Sequence, residues 1–170
     1  VLATTGRRDR LDAAIAEMAA HSEFSPVITR LGCLRGVSTL TAFGLVVEIG
    51  DWQRLSGRSI GAYLGLVPTE YSSGVTRSQG GVTKTGNGHA RRLLVEAAWH
   101  HRPRYRPGRE LRKRWETASP AARARGQAAN RRLNTRWAGF DARKKRPVVA
   151  NAAIARELAG WCWSLAVLDD

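Results

Sequence analysis

Apolar residues recur at helical spacing along most of the chain. Leu11, Ala14, Ile15 and Met18 form one stripe, which predicts an amphipathic helix running to about Ala20. The stretch from His21 to Pro26 breaks it. Leu34-Arg35-Gly36-Val37-Ser38 reads as a turn, followed by Leu40, Ala42, Phe43, Leu45, Val46, Val47 and Ile49, a mostly apolar helix closed by Gly50. A short helix is expected from Gly57 to Leu64, ended by Gly65 and Pro68. Asn87 has the side chain of an N-cap for a helix with Ala90, Leu93, Leu94, Ala97, Ala98 and His101 on one side. Two prolines within HRPRYRPG, residues 101–108, forbid a regular helix there. Arg109 to Trp115 and Pro120 to about Trp137 are rich in Ala and Arg and read as helices, with Asp141 to Arg146 (DARKKR) as a charged linker. Pro147 opens a last helix in which Ile154, Leu158, Trp161, Leu165 and Leu168 repeat at 4, 3, 4, 3, a packing seam. There is little strand signal. The expected fold is mainly α: a helical domain with a helix-hairpin-helix-like element and an irregular Ser/Gly/basic loop.

Charge changes this picture, because it is concentrated. Residues 1–73 carry 7 Lys/Arg and 7 Asp/Glu, whereas residues 74–146 carry 20 basic and 4 acidic residues, a net +16. Residues 147–170 carry 1 basic and 3 acidic residues, so one continuous segment holds the whole excess of the +14 chain. Such a footprint attracts polyanions, of which nucleic acid is the commonest large one. Arg outnumbers Lys 24 to 4, as GC-rich coding would give, but coding bias does not remove carboxylates. The Arg residues are not opposed by one continuous apolar face, which argues against a membrane-surface helix, and the apolar C-terminal stretch contains Asn151, Arg156 and Glu157, which argues against a transmembrane span. No membrane partner is expected, and the expected location is the bacterial cytoplasm, in association with the nucleoid.

Candidate chemistry lies in the loop between Tyr63 and Asn87, where hydroxyls and cations (Ser72, Ser73, Arg77, Lys84) are held between ordered elements. Arg91 and Arg92 on the following helix, and Arg102, Arg104, Arg112 and Lys113 beyond it, extend the cationic track, and Asn87 at the start of that helix is a further candidate nucleic-acid contact. The turn at Gly36–Ser38 resembles a helix-hairpin-helix, whose backbone N–H groups at a helix N-terminus grip a phosphate. Ser38 stands where such modules usually have a second Gly, and is read either as a phosphate contact or as a helix cap. His89, on a first helical turn, reads as a solvated residue or phosphate contact before a general base. Trp99, Trp115 and Trp137, interleaved with Arg, read as helix core before base-stacking platforms. Cys33, Cys162 and the histidines at 21, 89, 100 and 101 complete no metal-type spacing, and both cysteines are expected as buried free thiols in a reducing cytosol.

Taken in order, several segments carry a specific resemblance. They are G-V-S-T-L-T-A (Gly36–Ala42), E-I-G-D-W-Q-R (Glu48–Arg54), A-Y-L-G-L-V-P (Ala62–Pro68), Ser73-Gly74, G-V-T-K-T-G-N (Gly81–Asn87) and R-R-L-L-V-E-A-A (Arg91–Ala98). Together they resemble the C-terminal transposase domain of the insertion sequence 110 (Piv/MooV) family, over Leu31 to about Trp99, some two-fifths of the chain. The resemblance implies a DNA recombinase guided by a structured RNA, with a RuvC-like domain holding Mg²⁺ on acidic ligands and a serine that attacks the scissile phosphate. The family serine precedes Gly, which matches Ser73; Ser72 is the alternative. Glu70 is the only acid between Trp52 and Val95, so the implied Mg²⁺ belongs to the RuvC-like domain and none to this chain.

The chain opens at Val1 without an initiator Met and is read as a piece of a longer protein. On this reading 1–26 is a linker helix from the RuvC-like domain, 27–146 the transposase domain with its basic helical extension, and 147–170 a C-terminal packing helix. The implied partners are double-stranded DNA, guide RNA and, in the full-length protein, further copies of itself; the piece alone is expected to be inactive. The alternative is a non-catalytic helix-hairpin-helix DNA-binding module of a repair or recombination protein, in which Ser73 is only a turn residue.

Overall fold

The computed structural model describes residues 2–169. Eight helices and one two-stranded sheet follow in the order α1 (Leu2–His21), α2 (Ser25–Leu31), α3 (Thr39–Ile49), α4 (Ile60–Tyr63), β1 (Pro68–Glu70), β2 (Gln79–Val82), α5 (Gly88–Trp99), α6 (Arg109–Glu116), α7 (Pro120–Ala142) and α8 (Pro147–Ala166). The fold is mainly α, as the sequence predicts. The seam of α8 is its axis: Ile154, Leu158 and Leu165 are fully buried, and the helix packs on α2, α4, α5 and α7. Around it Leu31, Leu34, Leu45, Ile49, Ile60, Leu64, Leu94, Leu133 and Trp137 complete one core. Among the described residues no helix is long and apolar enough to cross a membrane.

Local chemistry sets the helix ends. Ser38 caps α3, accepting from the Thr41 N–H at 3.2 Å, and Asn87 caps α5, accepting from the Ala90 N–H at 2.8 Å. Ser119 caps α7 in the same way, ahead of Pro120 in its first turn. Helix α2 was not marked by the sequence pattern, being only seven residues long. Its pairing with α3 through the 32–38 turn gives the helix-hairpin-helix-like element.

Four expectations need correcting. The α1 stripe does not face the core: Leu11 is 54% and Met18 51% exposed, and only Ala19 is buried. Periodicity locates an apolar face but not its partner, and α1 meets the body mainly through α2 and α3. The short helix is confined to Ile60–Tyr63, because Ser56 and Ser59 bond each other and hold the preceding residues in a turn. Helix α7 continues to Ala142, which shortens the charged linker to 143–146. The Ser/Gly loop is an antiparallel hairpin, pairing Pro68 with Val82 and Glu70 with Gln79 across an irregularity in register.

The hairpin's root explains two of the motif glycines. Gly65 (φ 64°) and Gly86 (φ 79°) lie where their two segments cross backbone to backbone. A Cβ on Gly65 would overlap the Thr85 carbonyl oxygen, and one on Gly86 the Tyr63 carbonyl oxygen. On the strands, a Cβ on Gly80 would overlap Thr69 Oγ1. Gly86→Ala therefore combines a left-handed backbone with a main-chain collision that cannot relax, and is expected to cost at least about 2 kcal/mol. The neighbouring Gly81, with nothing within 4 Å of an added Cβ, is the control. Gly81→Ala should melt within a few degrees of the parent, whereas equal melting temperatures for the two variants would contradict this account of the root.

Candidate functional site

The hairpin is an arm. Every residue from Glu70 to Gly81 is exposed, and Val75 is fully exposed at its tip. Order is kept by backbone pairing beyond the strands, from the Tyr71 N–H to Ser78 O and from the Ser73 N–H to Thr76 O, each 2.9 Å. The root is held by Arg91, whose Nη1 donates to the Leu64 carbonyl (3.1 Å) and the Thr85 carbonyl (3.2 Å). The Lys84 N–H adds a bond to Gly65 O at 3.1 Å, with Lys84 itself at φ 58°. Arg91 thus ties the two legs of the arm together, a role its place in the sequence did not reveal.

The two serines differ. Ser72 Oγ donates to Glu70 Oε1 at 2.8 Å, while Ser73 Oγ has no partner among the described residues. Arg77 lies 3.5 Å from the same Glu70 oxygen, an exposed pair contributing at most about 1 kcal/mol and readily exchanged for a phosphate. The tip therefore carries several hydroxyls, Ser72 and Ser73 among them, with the Glu70 carboxylate and the Arg77 guanidinium, and Lys84 is exposed at the root.

At the foot of the arm a second group assembles around Glu48. Asn87 Nδ2 donates to Glu48 Oε2 at 2.6 Å, and His89 Nδ1 lies 2.7 Å from Oε1. Hydrogen bonds from Asn87 first and His89 second hold the Glu48 carboxyl below the usual carboxylate range. Asn87 is consumed at both ends, as a cap and as this donor. Sequence reasoning passed over Glu48, which lies 39 and 41 residues from its partners. Its place in the E-I-G-D segment was the available signal.

The other predicted contacts divide into two groups. Ser38 is engaged in its cap and is 3.0 Å from Thr41 Oγ1. The turn it follows is bolted inward: the Arg35 N–H donates to Asn130 Oδ1 (2.8 Å), Trp115 Nε1 and Asn130 Nδ2 both donate to Cys33 O (3.1 Å each), and Arg114 donates to Val37 O. That turn spends much of its backbone on α6 and α7. Arg92 pairs with Glu96 at 2.8 Å on the α5 surface, and Arg102 lies over the Trp137 ring and 3.4 Å from Asp141. Arg104, Arg112 and Lys113 are exposed and form no ion pair among the described residues. Trp115 and Trp137 are core, the latter donating to Ala98 O at 3.2 Å; Trp99, 37% exposed, leans on Trp137 at 5.6 Å between ring centroids.

The remaining titratable groups are structural. Cys33 and Cys162 are buried and joined by no disulfide, and burial pushes Cys162 up to about 12. His101 is fully buried, and burial, followed by the Arg35 guanidinium, lowers it to about 4. It folds neutral, so between its unfolded value near 6.5 and about 4 only the unfolded chain binds the proton. Stability is complete above pH ~6.5 and is lost as pH falls through that window, by roughly 3 kcal/mol. His101→Gln should shrink the difference in urea midpoint between pH 7.5 and pH 4 by a corresponding amount; an unchanged difference would contradict the assignment.

The model of the transposase IS116/IS110/IS902 family matches residues 29–116, a span from α2 through α6 that contains the arm, its root and the Glu48 group. Among similar proteins, y4qE of Sinorhizobium fredii is 39% identical over 160 residues, covering 94% of this chain and 41% of that protein. The transposase for insertion sequence element IS1328 of Yersinia enterocolitica is 38% identical over 96 residues, 55% of this chain and 29% of its own length. The transposase for insertion sequence element IS1111A of Coxiella burnetii is 32% identical over 83 residues, 48% and 23%. The chain thus spans between about a quarter and about two-fifths of the length of these relatives.

Proposed function

The chain belongs to the IS116/IS110/IS902 family of transposases, and from that premise we propose that it supplies the serine nucleophile and much of the nucleic-acid grip of a DNA transposase. The observation that carries the reading is the exposed hairpin arm, which presents Ser73 with its hydroxyl unengaged on a root fixed by Gly65, Gly86 and Arg91. In the proposed step Ser73 Oγ loses its proton and bonds to the scissile phosphorus, while the bond from phosphorus to the departing DNA oxygen breaks and that oxygen is protonated. One phosphodiester replaces another, so the link is reversible and a second DNA end can rejoin by displacing the serine. Positive charge is needed on the non-bridging oxygens as the transition state forms; Arg77 is the cation on the tip that can give it, while Lys84 at the root is available to a neighbouring phosphate.

Metal chemistry is proposed to lie elsewhere in the complete protein. Among the described residues no three His, Cys, Asp or Glu side chains come together, Glu48 is taken up by Asn87 and His89, and Glu70 by Ser72 and Arg77. These residues do not fit a two-metal site. The Mg²⁺ ligands are assigned to a RuvC-like domain, and target choice to a structured guide RNA bound with double-stranded DNA by an oligomer of the full-length protein.

A second reading has an observation of its own. Ser72 already donates to a carboxylate, the arrangement in which Glu70 would act as its base. Glu70→Gln in the full-length protein separates the two. With Ser73 as nucleophile, formation of the covalent protein–DNA adduct should stay within about tenfold of the parent. A loss of about 10²–10⁴, the usual worth of a general base, would transfer the role to Ser72. The binding-module alternative predicts no adduct at all.

A further inference from the structure

A groove of about 1420 Å³ runs between the root of the arm and the outer face of α8, closed at one end by the last turns of α7. That exceeds the roughly 300–1,000 Å³ of ordinary small-molecule sites, which points to a polymer. Its floor is apolar, with Leu66, Phe140, Val148 and Val149 among the lining, but its rim is cationic. Arg58, Lys145 and Arg156 border it and form no ion pair among the described residues. The only acid, Glu157, is already held by both Arg132 (3.0 Å) and Arg136. Glycines also line the space, and Gly81 among them has nothing within 4 Å of an added Cβ, so a backbone can approach closely there. The Arg156 stem lies over Gly61, where an added Cβ would sit 3.2 Å from its Cγ. Trp161, on the α8 seam, is half-buried: it packs against the core and also lines the groove. Trp163 beside it is fixed by donating to Leu55 O at 3.0 Å.

We propose that this groove holds a single strand of nucleic acid, its phosphates along Arg58, Lys145 and Arg156 and a base stacked on Trp161. Cations tracking a backbone beside an aromatic face are the recurring solution for single strands, and a face can stack only on a base that is not already enclosed in a duplex. The site lies apart from the serine tip and mostly outside the 74–146 segment. It rests on the nucleic-acid reading above but not on the choice of Ser73.

The test is equilibrium binding by the full chain of a fluorescent oligothymidine and an oligouridine of about 15 nucleotides, beside a duplex of equal length. Arg58→Ala with Arg156→Ala, both exposed, and separately Trp161→Ala, should each weaken single-strand binding by about tenfold or more, with duplex affinity changed less than about threefold. Trp161→Phe should restore most of the loss, which separates stacking from folding. In an oligomer carrying 5-iodouracil, photocrosslinks should map to the α8 peptide containing Trp161. Tighter groove-dependent binding of either the DNA or the RNA oligomer supports the proposal. Single-strand affinity indifferent to all three variants, with crosslinks confined to residues 74–135, would overturn it and leave the groove to a protein segment. Failure to bind any of the probes would instead overturn the nucleic-acid reading itself.

Discussion

Ser73→Ala in the full-length protein is expected to lower covalent adduct formation and strand exchange by on the order of 10⁴-fold or more, to the assay floor. The effect is large because the hydroxyl oxygen is the reacting atom. Folding should be nearly untouched: the side chain is exposed and its oxygen bonds nothing among the described residues, so the change belongs within about ±0.5 kcal/mol. Nucleic-acid binding should persist, since the cations are intact. Ser72→Ala should keep most activity, losing only the contact to Glu70. A Ser73→Ala protein that still forms the adduct, beside a dead Ser72→Ala, would move the nucleophile by one residue. Adduct formation by both would make the arm structural.

Nucleic-acid affinity is expected to collapse with salt. Residues 74–146 carry 20 basic and 4 acidic residues, but the structure removes several cations from service. Arg91, Arg114 and Arg125 donate to internal carbonyls, and Arg132 and Arg136 are held by Glu157. Arg104, Arg106, Arg109, Arg112, Lys113 and the run Arg143-Lys144-Lys145-Arg146 remain without ion pairs among the described residues. If about six or seven phosphates are neutralised, log K falls by about 0.9 per contact for each decade of salt on duplex DNA, or roughly 10³-fold between 50 and 200 mM. A flat titration would show that the charge is not a binding surface. Charge-removing substitutions at Arg91 or Arg114 are expected to act through folding, and so to lower melting temperature along with affinity.

Which features could be read in advance follows from their range along the chain. Helices, with interactions three and four residues apart, announce themselves: the α8 seam, the Ser38 and Asn87 caps and the burial of Trp115 and Trp137 were all legible. The hairpin was not, because Pro-Thr-Glu and Gln-Gly-Gly-Val have no alternation to read. What holds them is main-chain pairing and the glycine crossing at the root, where Gly65 meets a segment twenty residues away. The α1 stripe misled for the converse reason, since a local pattern cannot say whether anything covers it. Glu48 lay hidden because its meaning depends on Asn87 and His89, which only the fold brings near. The motif order identified the family, while the different hydrogen bonding of Ser72 and Ser73 could be seen only in the fold.

The central claim, that the arm's serine becomes joined to DNA, is tested most directly by locating the bond. Full-length protein is incubated with Mg²⁺, guide RNA and junction DNA, trapped, digested with nuclease and protease, and its peptides are sequenced by mass spectrometry. The account predicts a nucleotide remnant on the peptide spanning Tyr71 to Arg77, fragmenting to place it on Ser73. A remnant on any residue outside that tip, or strand exchange proceeding with no protein-linked nucleotide, would contradict it.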